Sequence, residues 1–201
     1  ILQNWQDAKA SIIKSPYVKA ATLSKRAPSN RLLDAPGFSV EVKGQKLRSD
    51  FRMPHNRVDF DFFKTYGIPV VAGRDFSKAH PADAGKAFIL NETAVRQLGW
   101  KHAGEAIGKT MTVPGRPPAP IIGVVADFNY ESLHNEIPAM VTYIVPNQVN
   151  TVSVRITPGN PRHAIDHIRA VWERYNPEFP FRFDFLDEQL NSLYQNEKRM
   201  M

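Results

Sequence analysis

The sequence predicts an α+β fold, and three observations lead to that prediction. Apolar residues recur at helical spacing near both ends of the chain. Short apolar runs separated by proline and glycine fill the middle, which is typical of short strands and tight turns. In the last third, a strand, an amphipathic helix, a second strand and a second helix follow one another. The 201 residues are enough for one domain or two small ones.

The first 55 residues are predicted to contain a helix, a strand and a hairpin. An apolar stripe predicts an amphipathic helix over residues 2–15, which ends near Pro16. Residues 17–23 are typical of a strand, and residues 30–37 of a loop. Two short alternating runs on either side of Gly44 predict a β-hairpin.

The middle of the chain is predicted to hold short strands and two short helices. The strands are expected at residues 69–72, 88–90, 109–113, 120–126 and 139–145. One helix is expected over residues 59–66 and stops at Gly67. The other begins after Asn91, whose side chain is a good N-cap, and ends at Gly99.

The last third is predicted to form a β-α-β-α unit. Alternating apolar residues predict strands at 152–156 and 181–185. A helix is expected between them, with Asn160 as a possible N-cap and Pro161 at its first position. Its apolar stripe consists of Ala164, Ile165, Ile168, Val171, Trp172 and Tyr175. A final helix is expected over residues 187–201.

Composition excludes several classes of site. The chain has no cysteine, which excludes disulfides, thiol catalysis and cysteine-ligated metal centres. No apolar run is long enough to span a bilayer, and no signal peptide is visible. Because the sequence starts without a methionine and stops within a helical pattern, we interpret it as a fragment of a longer protein.

The net charge of +6 arises in the first 60 residues, which hold 11 Lys and Arg against 5 Asp and Glu. The basic residues concerned are notably Lys43, Lys46, Arg48, Arg52 and Arg57. They could bind nucleic acid or anionic lipid. We favour a solvated basic surface, and no nucleic-acid partner, because no stacking aromatic residues are interleaved with them.

Two motifs resemble catalytic or nucleotide sites but lack essential parts. Residues 104–110 end in the Gly-Lys-Thr of a P-loop, but the first glycine is replaced by Ala103 and a strand, not a helix, is expected to follow. Asp127, Ser132 and His134 could form a hydrolytic triad, but no nucleophile elbow surrounds the serine. We interpret this segment as a strand end followed by a turn, in which Asp127 or Asn129 bonds nearby backbone amides.

Other polar residues are also interpreted as structural. His163 and His167 lie four residues apart on a helix and could bind a metal, but we expect them on a solvated face. Asp187 and Glu188 could act as an acid–base pair, but they suit the N-terminal dipole of the last helix. We expect Arg74 to be packed or paired after a turn at Gly73. Phe60, Phe62 and Phe63 are expected in the core.

Five segments, in their order and spacing, resemble a known family. They are residues 58–77, which begin Val-Asp-Phe-Asp-Phe-Phe and end Gly-Arg-Asp-Phe-Ser, then Phe-Ile-Leu-Asn-Glu-Thr-Ala at 88–94, Leu-Gly-Trp at 98–100, Ala-Ile-Gly-Lys at 106–109 and residues 121–134, which begin Ile-Ile-Gly-Val-Val-Ala-Asp-Phe. Together they resemble the periplasmic core domain of MacB-type (FtsX-like) ABC transporter permeases.

The resemblance implies a two-part α+β architecture and a membrane context. Residues 1–55 plus 148–201 would form a porter-like β-α-β subdomain from both chain ends, and residues 56–147 an inserted, mixed α/β, Sabre-like subdomain. The domain would lie in the periplasm, between the first two membrane helices of an inner-membrane permease. Both chain ends, Ile1 and Met201, would then lie on the same face.

The resemblance also implies a function without chemistry of its own. The domain would transmit conformational change driven by an ABC ATPase, reached through membrane helices, and would engage cargo or a periplasmic adaptor. The permease would be a dimer when full-length, and the isolated domain a monomer. No catalytic, cofactor-binding or metal-binding residue, and no cofactor, is predicted. The alternatives are a periplasmic ligand-binding or sensor module and, more weakly, a hydrolase.

Overall fold

A computed structural model gives the fold of the chain. It describes residues 4–28, 35, 37–42, 45–48, 53–113, 115–130, 136–145 and 147–189. The helices are α1 (Trp5–Ile12), α2 (Phe62–Tyr66), α3 (Asp83–Lys86), α4 (Glu92–Gln97) and α5 (Arg162–Tyr175), with a 3₁₀ turn at Ala103–Ala106. The strands are β1 (Val18–Ser24), β2 (Ser39–Val42), β3 (Gln45–Arg48), β4 (His55–Val58), β5 (Val70–Gly73), β6 (Phe88–Asn91), β7 (Thr110–Thr112), β8 (Ala119–Val125), β9 (Val141–Ile144) and β10 (Thr151–Ile156).

Within the described part of the chain, these strands form one mixed sheet. Its order is β10-β1-β4-β9-β6-β8-β7-β2-β3, and β5 pairs with β8 beside this path. The pairs β4–β9 and β6–β8 are parallel, while the other pairs are antiparallel. The chain therefore combines hairpins with crossover connections, which confirms the predicted α+β fold.

Several element boundaries follow the local signals in the sequence. Helix α2 ends at Gly67, which has a left-handed φ of 72° that glycine adopts without strain. Asn91 caps α4 by accepting a hydrogen bond from Ala94 N at 3.1 Å. Asn160 accepts a bond from Arg162 N at 2.9 Å at the start of α5. These boundaries were predictable because each depends on one residue and its immediate neighbours.

The predicted strand at residues 181–185 is wrong. These residues belong to no strand, and their aromatic rings pack on one another instead: the centroids of Phe181 and Phe183, and of Phe183 and Phe185, lie 5.6 Å apart. Phe181 also packs on Trp172 of α5, with centroids 6.4 Å apart. Alternating phenylalanines thus form an aromatic ladder beside a helix rather than one face of a sheet.

Some elements were missed, and some predictions cannot be compared with the structure. Strand β4, helix α3 and the 3₁₀ turn were not predicted. Of the final helix, residues 186–189 are helical, and residues 190–201 lie outside the described part. The hairpin at Gly44 pairs as expected through β2 and β3, although Gly44, most of the loop at 30–37 and both chain ends lie outside the described residues.

Among the described residues, buried side chains form three clusters. The first lies on β2, β6, β7, β8 and β9 under α4, and includes Val40, Leu90 and Ile121. The second lies around α2 and includes Phe62 and Phe63, as predicted. The third joins the two ends of the chain, with α1 and α5 packed on β1 and β10. Among the described helices, none is both long and apolar enough to cross a bilayer.

Candidate functional site

The segments that resemble the family act structurally wherever the structure describes them. Gly73 has a φ of 69°, and a Cβ there would lie 2.2 Å from Ile122 O, so only glycine fits against β8. Arg74 then donates two hydrogen bonds to Asp83, from Nη1 to Oδ2 at 2.6 Å and from Nη2 to Oδ1 at 2.9 Å. The paired arginine was predicted, and its partner on α3 was not.

The side chain of Asn91 ties the end of β6 and the residues before β9 to helix α4. Besides capping α4, its Oδ1 accepts a hydrogen bond from Met140 N at 2.8 Å, and its Nδ2 donates to Pro138 O at 2.9 Å. The side chain is buried. Asn91 therefore satisfies backbone groups that would otherwise be buried without partners next to β9.

Asp127 stabilises the same helix from the end of β8. Its carboxylate accepts hydrogen bonds from Thr93 N at 2.8 Å, Thr93 Oγ1 at 2.9 Å and Arg96 Nη2 at 2.7 Å. Asp127 thus bonds a backbone amide, as predicted, but that amide belongs to α4, 34 residues away, and not to the turn after β8. Ser132 and His134, the other members of the imagined triad, lie outside the described residues.

The P-loop-like segment does not have the geometry of a phosphate site. Gly104 lies in the 3₁₀ turn, and Thr110 begins β7 rather than a helix. Backbone amides at a helix N-terminus, which bind phosphate in true P-loops, are therefore not presented here. The described residues also contain no group of three or more His, Cys, Asp or Glu that could hold a metal ion.

The predicted solvated face of α5 is wrong for His167. This side chain is half-buried, and its Nε2 lies 3.0 Å from Ser11 O of α1. His163 is exposed, but its ring stacks on Tyr17 with centroids 5.2 Å apart. Both histidines face the N-terminal segment because α1 and α5 pack side by side. Asp187 and Glu188 are exposed in the short helical stretch at 186–189.

A buried lysine on α1 forms a polar cluster with residues 59–61, which we call the α1 clamp. Lys9 Nζ donates to Phe60 O at 3.0 Å and lies 2.9 Å from Asp61 Oδ2 and 3.6 Å from Asp59 Oδ2. Trp5 Nε1, one turn earlier, donates to Asp59 Oδ2 at 2.7 Å. The Lys9 side chain is 5% exposed and that of Asp59 is 11% exposed, so the ion pair is largely shielded from water.

The α1 clamp lies where the edge strands β10 and β1 meet β4 and the central strands of the sheet. Strands β1 and β4 have a single registered pair, Ser24 with Val58. Beside it, Asp59 N donates to Leu23 O at 2.8 Å, and Thr22 Oγ1 donates to Phe60 O at 3.1 Å. Side chains of α1 thus reinforce a narrow connection within the sheet.

Helix α1 also contacts two other parts of the molecule. Ser11 Oγ lies 3.2 Å from Tyr175 OH on α5. Lys78 Nζ, in the loop after β5, donates to Gln6 Oε1 at 2.7 Å. Displacement of α1 would therefore disturb α5, β1 and the loops around β4 and β5 together.

The position of Lys9 in the sequence is a signal for the α1 clamp. Lys9 lies on the same face as Trp5, Ala8 and Ile12, at the spacing of a buried helical stripe. A lysine in such a stripe must find a partner, because an unpaired buried charge is very unfavourable. The Asp-Phe-Asp sequence at 59–61 supplies that partner.

Two carboxylates near the α1 clamp have shifted pKa values in opposite directions. Burial raises the pKa of Asp83, but the hydrogen bonds from Arg74 and Ser77 N and the charge of Arg74 together lower it by more. The net shift of the Asp83 pKa is therefore downward. Burial raises the pKa of Asp75 from 3.8 to about 6, and the charges of Asp61 and Asp83 add to this against the hydrogen bond from Phe76 N. Asp75 therefore favours its protonated form in mildly acidic solution.

One basic residue of the N-terminal group can be placed. Arg57 is half-buried on β4, and its Nη2 lies 3.1 Å from His55 Nε2, so the predicted solvated surface is wrong at this position. The side chains of Lys43, Lys46, Arg48 and Arg52 lie outside the described part of the structure.

Solved structures share this fold at low sequence identity. The periplasmic region of MacB from Actinobacillus actinomycetemcomitans matches with a TM-score of 0.55 and 14% identity, over 85% of this chain and 73% of that chain. The extracellular domain of the noncanonic ABC-type transporter YknZ from Gram-positive bacteria matches with a TM-score of 0.54 and 13% identity, over 86% and 83%. No curated protein matches the sequence of the chain.

The family comparison agrees with the structural one. The family model for the MacB-like periplasmic core domain matches residues 4–171. This range includes all five segments on which the predicted resemblance rests. Domains of this family are periplasmic parts of transporter permeases rather than catalytic domains. The protein therefore belongs to the family of MacB-like periplasmic core domains of ABC transporter permeases.

Proposed function

We propose that this chain is the periplasmic domain of an inner-membrane ABC transporter permease that transmits ATP-driven conformational change and engages cargo or a partner protein. Its partners would be an ABC ATPase subunit or domain, reached through membrane helices, and a second permease copy in the full-length protein. A periplasmic adaptor or the cargo itself would bind the domain from the side that faces away from the membrane. Family membership supports this assignment.

The α1 clamp is the observation that carries the proposed transmission. In a permease, α1 would continue from a membrane helix, so movement of that helix would first displace α1. The contacts of the buried Lys9 with the shielded Asp59, with Phe60 O and with the partly exposed Asp61 would then pass the displacement to β4 and α2. Because a buried ion pair loses much of its stabilisation when its partners separate, α1 and the start of α2 would move together.

We also propose two subdomains, residues 1–55 with 148–201 and residues 56–147. The cluster that joins α1, β1, β10 and α5 supports a unit built from both chain ends. Strand β2, however, pairs with β7 of the insert. Residues 39–42 would therefore follow the insert when the subdomains move, so the mechanical boundary would lie closer to β1 than to residue 55.

Because this chain contains no cysteine, a cysteine introduced into it can serve as a specific labelling site in a full-length permease whose remaining parts are also free of cysteine. We would replace the exposed Lys101 by cysteine, attach a spin label to each copy of the dimer, and measure the distance between the labels with and without a trapped ATP state. ATP should change this distance. Lys9→Met should reduce the change by half or more, while Lys14→Met, at an exposed position of the same segment, should leave it intact.

Two outcomes would contradict the proposal. If ATP does not alter the label distance in the otherwise unchanged permease, the domain does not transmit the conformational change. If Lys9→Met shows the full change while hydrogen exchange shows that α1 has been released, transmission does not pass through the α1 clamp. Lys9→Arg keeps the charge and should restore most of the change.

A further inference from the structure

A small cleft lined by residues of β4 and its neighbour β9 contains two arginines. The α1 clamp, in contrast, lies where β4 meets its other neighbour, β1. The volume of the cleft is about 330 Å³, and its lining residues are Arg57, Gly115, Arg116, Pro117, Tyr143, Val145 and Gln148. Arg57 lies on β4 and is in register with Tyr143 of the parallel strand β9. Arg116 comes from the turn between β7 and β8, so residues far apart in sequence converge on this cleft.

Both guanidinium groups are held in place by one continuous set of contacts. Arg116 Cζ lies 4.7 Å from the ring centroid of Tyr143, a cation–π distance. Tyr143 stacks on His55, with centroids 5.4 Å apart. Arg57 Nη2 donates to His55 Nε2 at 3.1 Å, since a guanidinium has no acceptor. Because Tyr143 and His55 are buried, neither arginine is a freely moving surface side chain.

The positive charge of the cleft has no counterion within the described structure. Neither Arg57 nor Arg116 forms an ion pair with a described carboxylate, and no lining residue is Asp or Glu. Arg116 Nη2 has only a long bond of 3.4 Å to Gly85 O, and Arg116 Nε is buried without a hydrogen-bond partner among the described residues. A buried donor without a partner is costly, so the cleft favours a negative charge beside it.

We propose that this cleft binds an oxoanion, a carboxylate or phosphate group carried by a small ligand. Guanidinium groups present several donors in a plane and bind such groups with paired hydrogen bonds. The volume falls at the lower end of the range for small-molecule sites. Pro117 and Val145 offer apolar walls, and the exposed Gln148 adds an amide at the rim. This inference goes beyond the proposed transmission and does not depend on it.

The test uses the chain itself in buffer of low ionic strength, with NMR titration of backbone amides. Inorganic phosphate and glutarate serve as probes, and chloride is the control anion. We expect one or both probes to shift the amides of the cleft in a saturable manner. Arg57→Gln and Arg116→Gln should each weaken that binding roughly tenfold, the effect of losing a charge-assisted hydrogen bond. Arg182→Gln, at an exposed position outside the cleft, should not weaken it.

The choice of probes identifies the source of the anion. Saturation by phosphate alone indicates a phosphate ligand, and saturation by glutarate alone indicates a carboxylate ligand. Arg116→Lys should still weaken binding, because lysine keeps the charge but loses the planar donors. Absence of saturable shifts with both probes, or equal binding by all arginine variants whose spectra show an intact fold, would overturn the proposal.

Discussion

Two regions of the molecule are stabilised by different interactions. One is the terminal unit, formed by α1, β1, β10 and α5, and the other is the centre of the sheet, formed by β4, β9, β6 and β8. In the centre, β6 and β9 are buried along their whole length and pack against a continuous apolar cluster. At the terminal edge, β10 is only half-buried. The contacts that join this edge to the centre include one registered strand pair, the α1 clamp and a bond of 2.6 Å between Tyr66 OH of α2 and Ser153 Oγ of β10. The centre is therefore stabilised by packing along whole strands, whereas polar contacts of a few side chains reinforce the connection to the terminal unit.

Because of this difference, we expect the connection to the terminal unit to move without unfolding of the centre. Apolar packing is non-directional and distributed over many residues, so the centre opens only when it unfolds. A shielded ion pair has a defined geometry, and removal of one partner leaves the other as an uncompensated buried charge. Variants that weaken one region and spare the other separate the two behaviours.

Leu90→Ala should destabilise the whole chain most strongly. Leu90 is fully buried on β6, and removal of its side chain leaves a cavity in the central cluster. The expected loss is about 3–4 kcal/mol of the free energy of unfolding, measured by urea denaturation. Val152→Ala, on the half-buried strand β10, is the control and should cost less than about half as much. Equal losses would mean that the two regions are packed alike.

Lys9→Met should destabilise mainly the terminal unit. The substitution keeps the length of the side chain but leaves the shielded Asp59 without its cationic partner. We expect a loss of about 3 kcal/mol, visible as faster hydrogen exchange in α1 and β1 with little change in β6 and β9. Lys14→Met should leave exchange unchanged. Faster exchange throughout the sheet would show that the α1 clamp supports the centre as well.

Asn91→Ala should weaken the centre through hydrogen bonds rather than packing. It removes the cap of α4 and leaves Met140 N and Pro138 O without their side-chain partner. The expected loss is about 2 kcal/mol, with faster exchange at both Ala94 and Met140. Asn160→Ala, at the exposed start of α5, should cost less than about 1 kcal/mol. Exchange that increases in α4 but not at Met140 would contradict the double role of Asn91.

Asp75→Asn should have the smallest effect and should change the pH dependence. Because the pKa of Asp75 is raised from 3.8 to about 6, the folded state binds its proton more tightly than the unfolded state. Its contribution to stability therefore falls as pH rises from about 4 to about 6. The variant should be more stable than the original chain at pH 7.5, and this advantage should shrink towards pH 4.

The control for this pH dependence is the exposed Asp184. Asp184→Asn should leave the stability difference between pH 4 and pH 7.5 unchanged in thermal melts. Asp83 acts in the opposite sense, because its lowered pKa stabilises the fold above pH 3.8 and loses that effect only in stronger acid. An Asp75→Asn variant that is less stable at pH 7.5 would mean that the charged form of Asp75 is favourable.

Prediction from sequence succeeded where a local signal determined the structure. Asn91 and Gly67 marked helix ends because a cap or a left-handed residue acts on its own turn. Prediction failed at β4, where His55 and Asn56 are buried polar residues without an alternating apolar pattern. Asn56 is tolerated there because its Nδ2 donates to Tyr130 OH at 2.6 Å, a contact 74 residues away.

The candidate site was less predictable than the fold. Lys9 stood out only by its position in an apolar stripe, and its partners at 59–61 are about 50 residues away. The cleft between Arg57 and Arg116 depends on the parallel pairing of β4 with β9, which brings His55 beside Tyr143. No spacing in the sequence indicates either juxtaposition.

The α+β class, the family and most of the helices and strands could be predicted from the sequence, because periodicity and caps depend on neighbouring residues. The strand order, the packing of α1 on β1 and α5 and the pairing of buried charges are features of the tertiary structure alone. These features require contacts between residues far apart in the chain, and their energies depend on burial that exists only in the folded state. For this reason Arg57, which looks like a surface charge in the sequence, becomes a half-buried group facing a cleft.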